Sequence, residues 1–363
     1  MEKFNDNNHS VYNGRALRIE VYGASHAEEI GVLVDGLNKG DSYDEDELLS
    51  FLQRRRAVNK GYSTTRIESD LPIILSGAKE GVLDGERFTA VVKNQNVKSA
   101  DYSNLVKLPR PSHADFVAWQ KYGDGFDYRG GGKFSGRMTV ALCIIGGICK
   151  QLLQKQGISV TAYIQSIGKV EGVSYKSGAK IKIDDLTFPL LDDTKKEEML
   201  LEIESARLDG DSVGGKIECV VQGMPIGVGE FMFDSIEGAI SKLAFAVPAV
   251  KGIEFGTGFD LASMRGFEAN DQFDVKDGKV VTTTNHNGGV NGGISNGNDI
   301  AFSVAIKPTP SISKPQTSVN LETLTKQELI IKGRHDTCIT VRAVPVIEAI
   351  SAIAIYDLIK GRD

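Results

Sequence analysis

The stretch LPRPSHADFVAWQKYG, residues 108–123, sets a histidine between a proline-stiffened turn and an aspartate, with Arg110 and Lys121 close by in the chain. An imidazole titrates near neutrality and can give or take a proton, and the basic neighbours suit a negatively charged partner. The chain has five histidines: His9, His26, His113, His286 and His335. His9 lies in the polar N-terminal stretch. His26 follows an alternating segment in YGASHAEE, and His335 stands in KGRHDT between Arg334 and Asp336. Taken singly, each fits a structural role. A loop position, a basic neighbour and a nearby carboxylate together fit proton transfer to an anion.

Two basic clusters strengthen that reading. Residues 48–67 carry Arg54, Arg55, Arg56, Lys60 and Arg66 and no acid. This is either a solvated basic face or a site for phosphate or carboxylate, which a planar guanidinium can grip with two parallel hydrogen bonds. DYRGGGKFSGRMT, 127–139, places Arg129, Lys133 and Arg137 around three consecutive glycines ahead of an apolar segment. Free N–H groups at a helix start attract anions, and glycine lets a phosphate approach closely. The glycine- and asparagine-rich NHNGGVNGGISNG, 285–297, reads as loop. KPTPS, 307–311, offers a lysine, two hydroxyls and two stiffening prolines at the end of a strand.

The elements that position these residues follow from periodicity. RALRIEVYG, 15–23, and IGVLVDGL, 30–37, read as strands, and DEDELLSFLQRRR, 44–56, as a helix with acids first and arginines last, an order that suits the helix dipole. Residues 71–94 read as strand, turn, strand, and 135–156 as a buried helix. Further helices are expected at 194–206, 234–246 and 345–360, and strands at 158–166, 216–223, 300–306 and 338–344. Residues 173–190 and 270–284, charged and aperiodic, are expected as surface excursions. Strands and helices mix without a strict βαβ rhythm or a linker, which points to one large α+β domain over 15–363 behind a flexible tail, 1–14.

Composition excludes several classes. A net charge of −6 over 363 residues argues against a general nucleic-acid binder. No secretion signal and no run of about 18 apolar residues is evident, so a cytoplasmic protein without a membrane partner is expected. Cys143, Cys149, Cys219 and Cys338 lack C-x-x-C spacing and read as reduced thiols, three of them within apolar runs. Metal-ligand spacings, the P-loop, the dinucleotide fingerprint and G-x-S-x-G are all missing, so no metal site is expected.

Ten blocks in order, YGASHAEEIGVLVDGL, RRR…TTRIESD, SGAKEGVLDG, RPSHAD…KYG…DYRGGG, DSVGGKIE, GMPIGVGE, AVKGIEFGTGF, NHNGGVNGGISNG, KPTPSI and GRHDTCITVRAVPVIEA, resemble the successive blocks of the chorismate synthase family from about residue 15 onward. The resemblance implies a β-α-β sandwich and a homotetramer. It also implies the shikimate-pathway elimination of phosphate from 5-enolpyruvylshikimate 3-phosphate, which needs reduced FMN without net redox change. The reductant would be NADPH or an external flavin reductase.

By motif position, His26 and His113 match the family's two histidines, one proposed to protonate reduced flavin and the other the departing phosphate. Asp336 matches the carboxylate of the ring-proton route. Lys133, Phe134, Ser135, Ala249, Gly292, Lys307, Pro308, Thr309, Pro310, Ser311 and Arg334 fall where the family contacts FMN. Ser25, Arg55, Arg56, Arg110 and Arg137 fall where it holds the substrate. The chain departs from the family at Ala24 and Ala27 beside His26, at Lys133 and Phe134, at Met138, at Ala57 and at Pro248. Two other classes stay open on residues alone: a non-catalytic flavin- or phosphate-binding relative, and a flavin oxidoreductase acting on NADPH.

Overall fold

Successive side chains of a strand point to opposite faces of its sheet, so the alternating segments can each bury one face. The computed structural model describes residues 9–56, 68–95, 107–123, 126–127, 129–177, 180–331 and 336–362. One antiparallel sheet is made of β1 His9–Asn13, β2 Arg18–Gly23, β3 Glu29–Asp35, β4 Ile73–Ser76 and β5 Phe88–Lys93, in the order β1-β2-β3-β5-β4. A second comprises β6 Ser159–Ile167, β7 Val170–Glu171, β8 Gly215–Gln222, β9 Val250–Phe255 and β10 Ile300–Ile306, ordered β9-β10-β8-β6-β7.

The helices of eight or more residues are α1 Glu45–Arg54, α2 Asp115–Tyr122, α3 Thr139–Gln154, α4 Lys196–Leu208, α5 Ile236–Ala244 and α6 Thr340–Lys360. Two of them fill the space between the sheets. Helix α3 packs on β3 and β5 of the first sheet and on α6, while α6 packs on β6 and β8 of the second. A helix apolar on every side must be buried on every side, and both are. Their approach depends on Gly146, where a Cβ would come within 2.4 Å of the Ala349 Cβ. The result is the α+β, β-α-β sandwich, with one core running from Leu17 to Leu358. All four cysteines are buried and free.

Four expectations change. Residues 338–344 are not a strand: α6 begins at Thr340, its β-branched first turn drawn into helix by burial between the sheets. The tail expected over 1–14 is ordered from His9, because β1 pairs with β2 from His9↔Tyr22 to Asn13↔Arg18, and the His9 and Tyr22 rings stack at 5.4 Å. Part of 173–190 is a cover and not an excursion: Tyr175, Ile181 and Ile183 pack over Tyr163, Val220 and Ala301 on the outer face of the second sheet. Residues 136–154 are long and apolar enough to cross a membrane, contrary to the run-length expectation, but 72% of that window is buried in the protein.

Candidate active site

The loop ahead of α2 is built around one acid. Asp115, 5% exposed, accepts from the Arg110 backbone N–H at 3.1 Å, from Arg110 Nε at 2.7 Å and Nη2 at 2.8 Å, and from His113 Nδ1 at 2.6 Å. Burial alone would raise its pKa, but the hydrogen bonds from Arg110 and His113 outweigh that and hold it well below the usual carboxylate range. A carboxylate this close to Nδ1 assigns the proton to that nitrogen and leaves Nε2 for chemistry. Arg110 Nη2 also lies 3.1 Å from Nδ1, and Nη1 donates to Ser311 Oγ at 3.1 Å. Burial pushes the His113 pKa down, with Arg110 and Lys307 adding to the effect and Asp115 opposing it.

The glycine-rich turn separates the two matched histidines. Gly130, Gly131 and Gly132 all have positive φ, 57°, 85° and 54°, which glycine adopts without strain. A Cβ on Gly130 would stand 2.5 Å from His26 Cε1, and one on Gly131 would stand 3.3 Å from His113 Nε2. Gly132 O accepts from the Ser25 N–H at 3.1 Å, binding the turn to the loop after β2. The Ser135 hydroxyl accepts from the Arg137 N–H at 3.3 Å. Lys133 Nζ lies 3.8 Å from the centre of the Tyr122 ring, and Phe134 packs on Tyr122 and Phe126.

The arginines after α1 part company. Arg54 makes a bidentate pair with buried Glu348, both bonds 2.8 Å, on the side of α6. Arg55, 4% exposed, pairs with Asp70, and Arg56 Nε donates to Glu68 O at 2.8 Å. Asp70 also pairs with Arg137, whose Nε donates to Asn94 Oδ1 at 3.1 Å. The acids that this stretch lacks are thus supplied from elsewhere in the chain. Lys60 and Arg66 lie outside the described residues.

From the second sheet, β10 delivers Lys307 and the loop after it. Lys307 Nζ donates to Ser112 O at 2.6 Å, and its backbone N–H to Ala249 O at 2.9 Å. Ala249 and Ser112 have positive φ, 75° and 58°, conformations that non-glycine residues rarely take. At the start of α6, Arg342 Nη1 donates to both oxygens of Asp336 at 2.9 Å, and Nε to Arg55 O at 3.0 Å.

These loops enclose one cavity of about 590 Å³. Every site residue expected from the sequence lines it except His26, Pro308, Gly292 and Arg334. His26 sits behind Gly130, Pro308 packs over Gly214, and Gly292 is exposed at the turn of the hairpin Val290–Asn291 and Ile294–Ser295. Arg334 lies outside the described residues. Among those described, Arg55, Arg56, Arg110, Lys133, Arg137, Lys307 and Arg342 face Glu68, Asp70 and Asp336 around the cavity, so its lining is cationic in a chain of net charge −6. Asp70 and Arg342 carry no signal in the sequence. Asp115 is the aspartate of RPSHAD, two residues after His113, whereas no spacing marks Asp70 or Arg342.

A sequence model of the family described as chorismate synthase matches residues 17–359. A chorismate synthase of Lancefieldella parvula is 41% identical over 360 residues, covering 95% of this chain and 94% of the relative. One of Thermococcus gammatolerans is 43% identical over 349 residues, covering 96% and 97%. Among solved structures, the crystal structure of a chorismate synthase is similar with a TM-score of 0.70 at 25% identity, covering 95% of this chain and 92% of that one.

Proposed function

The chain belongs to the chorismate synthase family, and from that premise we propose how its own residues carry out the elimination. The enzyme is a lyase of aromatic biosynthesis. A carbon–oxygen bond to phosphate and a ring carbon–hydrogen bond break, a carbon–carbon double bond forms, and phosphate and a proton leave.

The observation that carries the mechanism is the His113–Asp115–Arg110 network on the wall of a cationic cavity. In the free protein burial favours neutral His113. An anionic substrate reverses that balance and draws a proton onto Nε2 while Asp115 keeps the one on Nδ1. Nε2–H then donates to the departing phosphate, and Arg110 stabilises the growing charge. Arg55, Arg56 and Arg137 hold the substrate's anionic groups. Asp336, fixed by Arg342, is the acceptor on the ring-proton route. His26, shielded by Gly130 and 8% exposed, is the histidine on the cofactor side.

The family implies a reduced flavin, and the lining fits one. About 590 Å³ lies within the range of roughly 300–1,000 Å³ usual for such sites. Val247, Pro248, Ala249, Ile339, Ala343 and Val346 give an apolar wall for a planar ring, and Lys307, Thr309 and Ser311 give a cation and hydroxyls for a phosphate. These residues would hold reduced FMN, which would supply an electron-rich ring beside the substrate. The reductant is NADPH or a separate flavin reductase; NADPH oxidation by protein and FMN alone, without oxygen, identifies the first, and its absence the second.

The protein works in the cytoplasm as a homotetramer. Phe231, Met232 and Phe233, 70%, 70% and 90% exposed, support association, since such a turn gains by being covered. A monomer by light scattering at working concentration overturns this. The function itself is tested by supplying the enolpyruvyl phosphate with chemically reduced FMN under nitrogen and following phosphate release.

A further inference from the structure

Asp70 is shared by two cavity arginines. It is 2% exposed, and each of its carboxylate oxygens takes one guanidinium, Oδ2 that of Arg55 and Oδ1 that of Arg137. Its backbone sits at φ 50°, a left-handed conformation that Asp and Asn tolerate better than other side chains. A carboxylate held there for ordinary charge balance needs no such backbone.

Each arginine is fixed at further points: Arg137 Nε donates to Asn94 Oδ1 at 3.1 Å, and Arg55 Nη2 lies 3.4 Å from Thr139 Oγ1. Arg55 Nε and Arg137 Nη2 are left as buried N–H donors without an acceptor, on side chains that line the cavity. Buried donors are ordinarily satisfied, so these two show that each guanidinium is held by Asp70 at the expense of its own remaining hydrogen bonds. Two guanidiniums on one carboxylate keep a net positive charge and lose their freedom to turn.

We propose that Asp70 is a positioning residue for the phosphate elimination: its carboxylate cross-links Arg55 and Arg137 and fixes where their remaining N–H groups point. This rests on the elimination reading given above. Charge and position make opposite demands here. Removing the carboxylate adds a positive charge and so strengthens the pull on any anion, but it lets both guanidiniums leave the orientation that serves the transition state.

The test uses Asp70→Asn, which keeps shape and tolerates the same φ. Inorganic phosphate binding to the full chain is measured by calorimetry, and kcat and KM with anaerobically reduced FMN. The expected result is phosphate bound about threefold or more tighter with kcat about tenfold or more lower. Phosphate affinity that is unchanged or weaker overturns the proposal whether or not turnover is seen. So does a wild-type kcat in the variant. Wild-type protein that releases no phosphate from the enolpyruvyl substrate instead removes the elimination reading, and the calorimetric arm still decides the role of Asp70. Should Asp70→Asn not fold, Asp70→Glu keeps the charge and shifts it by one methylene. It must then lower kcat at unchanged phosphate affinity, and a wild-type kcat overturns the clamp.

Discussion

At the scale of single residues, the proposed chemistry turns on His113 being neutral when the cavity is free and protonated when an anion fills it. Because burial depresses its pKa below the ordinary histidine value, substrate binding at neutral pH takes up protons, approaching about one per site. Uptake fades as pH falls through the depressed pKa, where the ring is already charged. Calorimetry in buffers of different ionisation enthalpy measures it; zero uptake contradicts the assignment. His113→Ala should abolish the uptake and sharply lower kcat, with a smaller loss of substrate affinity. Arg55→Ala should instead weaken substrate binding, and an isotherm that does not move counts against that role. His113, Arg110 and Arg55 were legible because their own types announce chemistry. Their partners were not: Asp70 lies 15 residues from Arg55 and 67 from Arg137, and only folding brings the three together.

At the scale of elements, α6 links the site to the core. Glu348, on its buried stretch, takes both Arg54 Nη atoms, Lys150 Nζ at 2.6 Å and the Ala162 N–H at 3.1 Å, joining α1, α3 and β6. Burial would raise its pKa, but Lys150 and Arg54 outweigh it and bring it down to about 2. A depressed carboxylate contributes stability that is complete above the unfolded value near 4.5. The contribution is lost as pH falls through about 2. Glu348→Ala strands two partly buried cations and should cost about 3 kcal/mol by denaturant unfolding; a loss within experimental error contradicts this. Periodicity located α1, α3 and most strands of both sheets. It failed where context overrides local pattern: the β-branched entry to α6 read as a strand, and exposed β1 lacks the buried alternation that would reveal it.

At the scale of the whole molecule, an acidic protein gathers cations from the end of α1, the loops before α2 and α3, the end of β10 and the first turn of α6 into one cavity. Its bulk charge repels the substrate weakly, and the cavity attracts it locally, which favours small anions over polyanions. The β-α-β layering makes this possible: α3 and α6 start at the same edge of the sandwich, one led by the glycine turn and the other by Asp336 and Arg342. Ordered motifs made the family recognisable, whereas which loops meet could be read only from the fold. The most direct test is anaerobic phosphate release from 5-enolpyruvylshikimate 3-phosphate with chemically reduced FMN. Stoichiometric phosphate and chorismate are expected, and a folded, flavin-loaded protein that releases neither would contradict the assigned elimination.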